Sequence, residues 1–271
     1  KTFFMTNKLP LSTALSIAIA SSAFSQDLWK NKESAHTTEI LSVAINEEAT
    51  NIVTGGADKR AQLWDVKTGE KTKVFGHSAS VTAVSFSANG KLFATGTADG
   101  KILVFDAKES KIKKILTKEH TLDITSVAFN PINDYIVSAS KDGTAKVWDG
   151  VTGGSQFTLK GHTKPVNGAV FSPDGKTLAT ASSDNTVKIW DASTGQMKTS
   201  LDAGSKEATA ITWSSDGKYI ATATGQIAEP IQELPLPLQA EEQVPSPIIG
   251  ILHRKPLQLP QVLVPEPTPV Q

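Results

Sequence analysis

The chain has 271 residues, with 27 basic and 27 acidic side chains giving a formal charge of zero, and it contains no cysteine. The charge balance argues against a nucleic-acid partner, which would require a concentrated basic surface. The missing cysteines exclude disulfides, thiolate zinc sites and thiol nucleophiles, while the length suits one large all-β domain with appendages.

In chain order, the first feature is a basic start, Lys1 to Lys8, followed by an apolar run from Leu9 to Ala20 and small residues including Ala23 and Ser25. This pattern reads as a cleavable export signal over residues 1–25, cut after Ser25 or, as second choice, after Ala23, and implies a periplasmic or secreted product. The rival reading is an amphipathic or disordered arm on a cytoplasmic protein. The apolar run is shorter than the roughly 20 residues a bilayer demands, so no membrane span is expected in the mature chain.

A repeat then governs residues 36–203. Histidines stand at His36, His77, His120 and His162, spaced by 41, 43 and 42 residues. An aspartate follows each by 22 residues (Asp58, Asp99, Asp142, Asp184), and an aromatic lies six further on (Trp64, Phe105, Trp148, Trp190). Within each copy, short β-branched runs alternate with Asp-Gly, Asn-Gly and Ser-Asp-Asn turns, the pattern of four antiparallel strands per repeat. Repeats run at about 36–76, 77–119, 120–161 and 162–203, and a partial fifth covers 204–225 with strand signals around Trp213 and Ile220. The fifth has no Trp-Asp pair. Ten of the fourteen prolines fall between Pro230 and Pro269, so residues 226–271 read as an extended, disordered tail.

The segment Gly161–Asp191 (GHTKPVNGAVFSPDGKTLATASSDNTVKIWD) resembles a WD40 repeat, and the resemblance extends over residues 36–225. It implies an all-β, WD40-type β-propeller domain within residues 26–225, with four four-stranded blades plus a partial fifth. Four and a half blades leave an unpaired edge and three outcomes: a small distorted ring, an open arc, or an array whose missing blades lie elsewhere. The resemblance also implies a His, Ser/Thr, Asp, Trp hydrogen-bonded chain inside each blade. Mapped here, it gives His120, Ser140, Asp142 and Trp148, then His162, Ser182, Asp184 and Trp190. The second copy offers His77, Thr97, Asp99 and Phe105, without an indole. The first offers His36, Asp58 and Trp64, with Gly56 where the hydroxyl is sought. On this mapping blades one and two should be softer than blades three and four.

The same resemblance places partner contacts on the narrower face, at Glu39, Leu41 and Ala57; Ser80, Thr82 and Ala98; Asp123, Thr125 and Lys141; Pro165, Asn167 and Ser183. The expected role is a non-catalytic scaffold for a protein or peptide partner, with no nucleic acid, cofactor or metal. One alternative is a structural envelope component that self-associates through the open edge; a propeller hydrolase or lyase is another. The trio His162, Asp184 and Ser182 recurs as His120, Asp142 and Ser140, which marks it as blade architecture rather than a catalytic triad. The only other histidine, His253, lies in the tail.

Overall fold

The middle strands of each repeat are dense in small and β-branched residues because they are covered on both faces. In a computed structural model, which describes residues 36–116, 120–224 and 248–250, five sheets follow one another along the chain. Blade one holds β1 (Ile40–Ile45), β2 (Asn51–Gly56), β3 (Arg60–Asp65) and β4 (Lys71–Gly76). Blade two holds β5 (Val81–Phe86), β6 (Leu92–Thr97), β7 (Ile102–Asp106) and β8 (Lys111–Leu116). Blade three holds β9 (Ile124–Phe129), β10 (Tyr135–Ser140), β11 (Ala145–Asp149) and β12 (Ser155–Leu159). Blade four holds β13 (Val166–Phe171), β14 (Thr177–Ser182), β15 (Thr186–Asp191) and β16 (Met197–Asp202). Each is an antiparallel meander in chain order.

The fifth sheet has β17 (Ala208–Trp213) and β18 (Ile220–Thr224) in antiparallel register, as the broken repeat implied. A short strand, β19 (Ile248–Gly250), lies parallel to β18 through Ile220↔Ile248, so three residues of the expected tail are strand. The rest of that tail and the export signal lie outside the described residues.

Burial falls off from the second strand to the fourth. In β14 every residue after Thr177 is buried, whereas β8 is exposed except for Lys114 and Leu116. A propeller sheet is gripped between two neighbours near the axis and splays from them at the rim. The core is accordingly divided into four apolar clusters, one per pair of consecutive blades. Phe75, Phe93 and Phe105 lie in the first, Ile102, Ile124 and Trp148 in the second, Val147, Leu178 and Trp190 in the third, and Ile189, Ile211 and Ile220 in the fourth. Among the described residues no cluster joins the fifth blade back to the first.

The tight turn between the second and third strands has one constant demand. The residue after each turn aspartate adopts a left-handed backbone: Lys59 (φ 62°), Gly100 (79°), Gly143 (82°) and Asn185 (67°). Glycine and asparagine accept this conformation readily, and lysine does not. Lys59→Gly should therefore stabilise the fold by about 0.5–1 kcal/mol, raising the urea midpoint. A lowered midpoint would show that the Lys59 side chain contributes more than its backbone costs.

Candidate functional site

The buried polar chain in each blade turns on a hydroxyl two residues before the one expected. In blade four, Thr180 Oγ1 lies 2.7 Å from His162 Nε2, and Trp190 Nε1 donates to the same oxygen at 2.9 Å. His162 Nδ1 lies 2.9 Å from Asp184 Oδ2. The indole can only donate, so Thr180 Oγ1 accepts from it, and with the Nδ1–H on the carboxylate the threonine O–H pairs with Nε2. Blade three repeats this with Ser138, 2.8 Å from His120 and 2.9 Å from Trp148, and His120 is 2.8 Å from Asp142. Blade one does so with Thr54, 2.8 Å from His36 and 3.0 Å from Trp64, and His36 is 2.8 Å from Asp58.

This corrects the mapping drawn from the resemblance. Ser140 Oγ bonds the Leu122 carbonyl, and Ser182 Oγ bonds those of Lys164 and Pro165; neither reaches a histidine. Gly56 breaks nothing, because Thr54 supplies the hydroxyl and blade one is complete. The missed signal was present: the residue 18 after each histidine is Thr54, Thr95, Ser138 and Thr180, a hydroxyl in every copy. Positions 18 and 20 share one strand face, and the paired indole selects between them.

Only blade two departs. His77 Nε2 keeps its bond to Thr95, but Nδ1 turns to the Phe75 carbonyl at 3.1 Å instead of to Asp99. Asp99 instead accepts from Ser78, Thr97 and Lys101, each at 2.6 Å. Phe105 replaces the indole and stacks on Phe93 with centroids 4.8 Å apart. Thr97 therefore caps the turn aspartate and is not a link to the histidine.

Burial shapes the titration. Desolvation pushes the His162 and His77 imidazoles below their ordinary 6.5, outweighing Asp184 beside the first and the Phe75 carbonyl beside the second. For Asp184, burial raises the pKa, but Thr186, the Thr163 amide and His162 together hold it below the usual carboxylate range. Asp142 is lowered in the same way, with Thr144 and His120 outweighing burial.

The expected partner face is gathered at one end of each blade, where Ala57, Ala98, Lys141 and Ser183 amides donate to the Glu39, Ser80, Asp123 and Pro165 carbonyls at 2.9–3.0 Å. Most side chains there already serve the fold. Thr82 Oγ1 donates to the Ile124 carbonyl at 2.6 Å, Thr125 Oγ1 to Val166 at 2.5 Å, and Asn167 Nδ2 to Ala208 at 2.8 Å. Each of these bonds ties one blade to the next. Leu41, at the equivalent place, has no polar group; blades one and two are linked instead by the Val84 amide donating to Ser42 Oγ. Ser80 bonds the Ala57 carbonyl, and Ser183 bonds Glu207. That leaves Glu39, exposed, and the ion pair of Lys141 with Asp123 at 2.6 Å as the charged features of the face. Among the described residues, no three His, Asp or Glu side chains stand together as a metal site, and no helix is long and apolar enough to cross a membrane.

Meandering blades, stitched in series and three of them built on a histidine-hydroxyl-indole core, define a propeller-type repeat protein. The family model for the WD domain, G-beta repeat, matches residues 29–65, 69–106, 111–149 and 153–191, and the chain belongs to the WD40-repeat family. It is similar to Protein tipD of Dictyostelium discoideum, 28% identical over 157 residues, covering 57% of this chain and 19% of that protein.

Two outcomes follow from the hydroxyl-centred chain. Thr180→Val strands both the Trp190 N–H and His162 Nε2 and should cost about 3 kcal/mol; Thr95→Val strands only His77 and should cost about 1 kcal/mol. Equal losses in urea unfolding would contradict the indole's share. Stability should also follow pH in two windows. His162 and His77 bind protons less readily folded than unfolded, so their contribution is whole above about pH 6.5 and is lost as pH falls below it. The turn aspartates contribute above their ordinary 3.8, and that contribution is lost as pH falls below it toward their lower folded values. A Tm unchanged between about pH 8 and pH 5 would contradict the first window.

Proposed function

We propose that the chain is a non-catalytic scaffold that binds protein partners at the blade ends carrying Glu39, Asp123 and Lys141. WD40-repeat domains typically bind proteins and are generally not enzymes, and the chain's own residues support that role. The carrying observation is that His36–Asp58, His120–Asp142 and His162–Asp184 are each closed into a buried chain in which both imidazole nitrogens are bonded. A base already bonded on both nitrogens has no lone pair to offer a substrate. The face has few large anchors, so modest affinity is expected. A photo-cross-linking residue placed at Glu39, Asp123 or Lys141 should give the same discrete protein adduct from all three sites. Adducts that match those from an outer-strand control at Lys198 would sink the assignment.

A second reading is self-association through the outer faces of the first and last blades, favoured because among the described residues no apolar cluster joins the fifth blade to the first. Light scattering across a concentration series separates the two: a monomer at all concentrations removes self-association. Export is part of the proposal, supported by the Lys1–Ser25 pattern alone. A mature N-terminus at Gln26 is the expected result, and an uncleaved N-terminus on cytoplasmic protein would remove it.

A further inference from the structure

Blade two differs from its neighbours at a set of positions that meet in one place. In blades three and four, Lys146 donates to Thr158 Oγ1 at 3.0 Å and Lys188 to Ser200 Oγ at 2.9 Å. These cross-strand pairs cover the outer part of the sheet with polar groups. The equivalent pair in blade two is Leu103 opposite Ile115. Thr144 and Thr186, which bond their turn aspartates, are replaced by Lys101. The indole becomes Phe105, and His77 has turned from Asp99 to the Phe75 carbonyl.

These replacements line a crevice of about 390 Å³ bounded by Gly76, His77, Ser78, Lys101, Leu103 and Ile115. Its floor is apolar. Ile115 is 54% exposed, and Ile112, opposite Phe105 on the same sheet face, is 51% exposed. Two such isoleucines side by side on a rim strand are a cost to the free protein and a gain once covered. The surroundings are cationic: segments 71–78 and 99–116 carry seven lysines against three acidic residues, Lys101 being paired with Asp99 and Lys113 with Asp106, in a chain whose total charge is zero. Lys73 lies opposite Leu63, on the side of blade one that packs against blade two.

We propose that this crevice docks an acidic peptide segment of a partner, which inserts one aliphatic side chain against Leu103 and Ile115 and sets its carboxylates against Lys73 and Lys111, on either side of the Lys101–Asp99 pair. The inference rests on the scaffold reading and adds to it a second site, on the rim of blade two, with a stated partner chemistry. A single apolar slot of this volume suits a side chain, and the lysine rim selects the charge of the residues on either side of it.

The blades themselves supply the control. Leu103→Lys with Ile115→Thr transplants the blade-three pair into blade two, and Ile115→Thr alone changes a half-exposed side chain that the fold does not need. The probe is a labelled synthetic peptide with one isoleucine between glutamates, titrated by fluorescence anisotropy against the full chain. Its glutamine counterpart and a single-stranded oligonucleotide of equal length run beside it. The expected result is saturable binding of the acidic peptide that weakens with salt. Affinity should fall at least tenfold in the double variant and severalfold in Ile115→Thr, with Tm not lowered in Ile115→Thr. Absence of saturable binding, equal binding by the folded variants, equal binding of the glutamine peptide, or preference for the oligonucleotide would each overturn the proposal. The assay uses no natural partner, so such a failure leaves the scaffold role to the cross-linking at Glu39, Asp123 and Lys141.

Discussion

The fold depends on one buried hydroxyl per blade. Thr54, Ser138 and Thr180 each accept from an indole and face an imidazole nitrogen, at a depth where any unpaired member would be costly. The chain joins the histidine before the first strand to the second strand, to the turn and to the third strand. It therefore fixes the register of three strands and the position of the turn that joins the last two. The carboxylate at its outer end also accepts from the amide after the histidine: Thr37 in blade one, Thr121 in blade three, Thr163 in blade four. In these three blades both imidazole nitrogens are bonded.

Between blades the logic changes from closed polar chains to apolar clusters bridged by single hydrogen bonds. Thr82, Thr125 and Asn167 each reach a carbonyl on the next inner strand, and the stack grows by repeating that step. The side chains left uncommitted by the fold are consequently those the stack does not use. At the blade ends these are a few charged groups, and at the rim of blade two they are the apolar and lysine side chains where the standard core was replaced. Blade two holds itself together by other means, through the packed rings of Phe75, Phe93 and Phe105. An aromatic cluster is indifferent to the exact partner of Asp99, which is how this blade can depart from the others without losing its place.

The sequence determined a great deal. Constant His, Asp and aromatic spacings established the repeat, the four complete sheets and the failure of the fifth, because spacing along a meander translates directly into strand length and turn position. Left unresolved was which of two hydroxyls on one strand face closes the chain. Ser138 and Ser140, or Thr180 and Ser182, are equivalent by alternation, and only the reach of the indole from the neighbouring strand separates them. The offsets place the expected face residues at one end of the blades, but which of them the fold already uses was not legible. The partners of Thr125 and Asn167 are carbonyls 41 residues away on another blade. Likewise Leu103 and Ile115 read as an ordinary strand pair until the sheets are stacked and the polar pairs of blades three and four appear beside them. Periodicity is a property of local backbone geometry and survives in one dimension. Commitment of a side chain depends on which distant group meets it, and that only the packing of blade against blade decided.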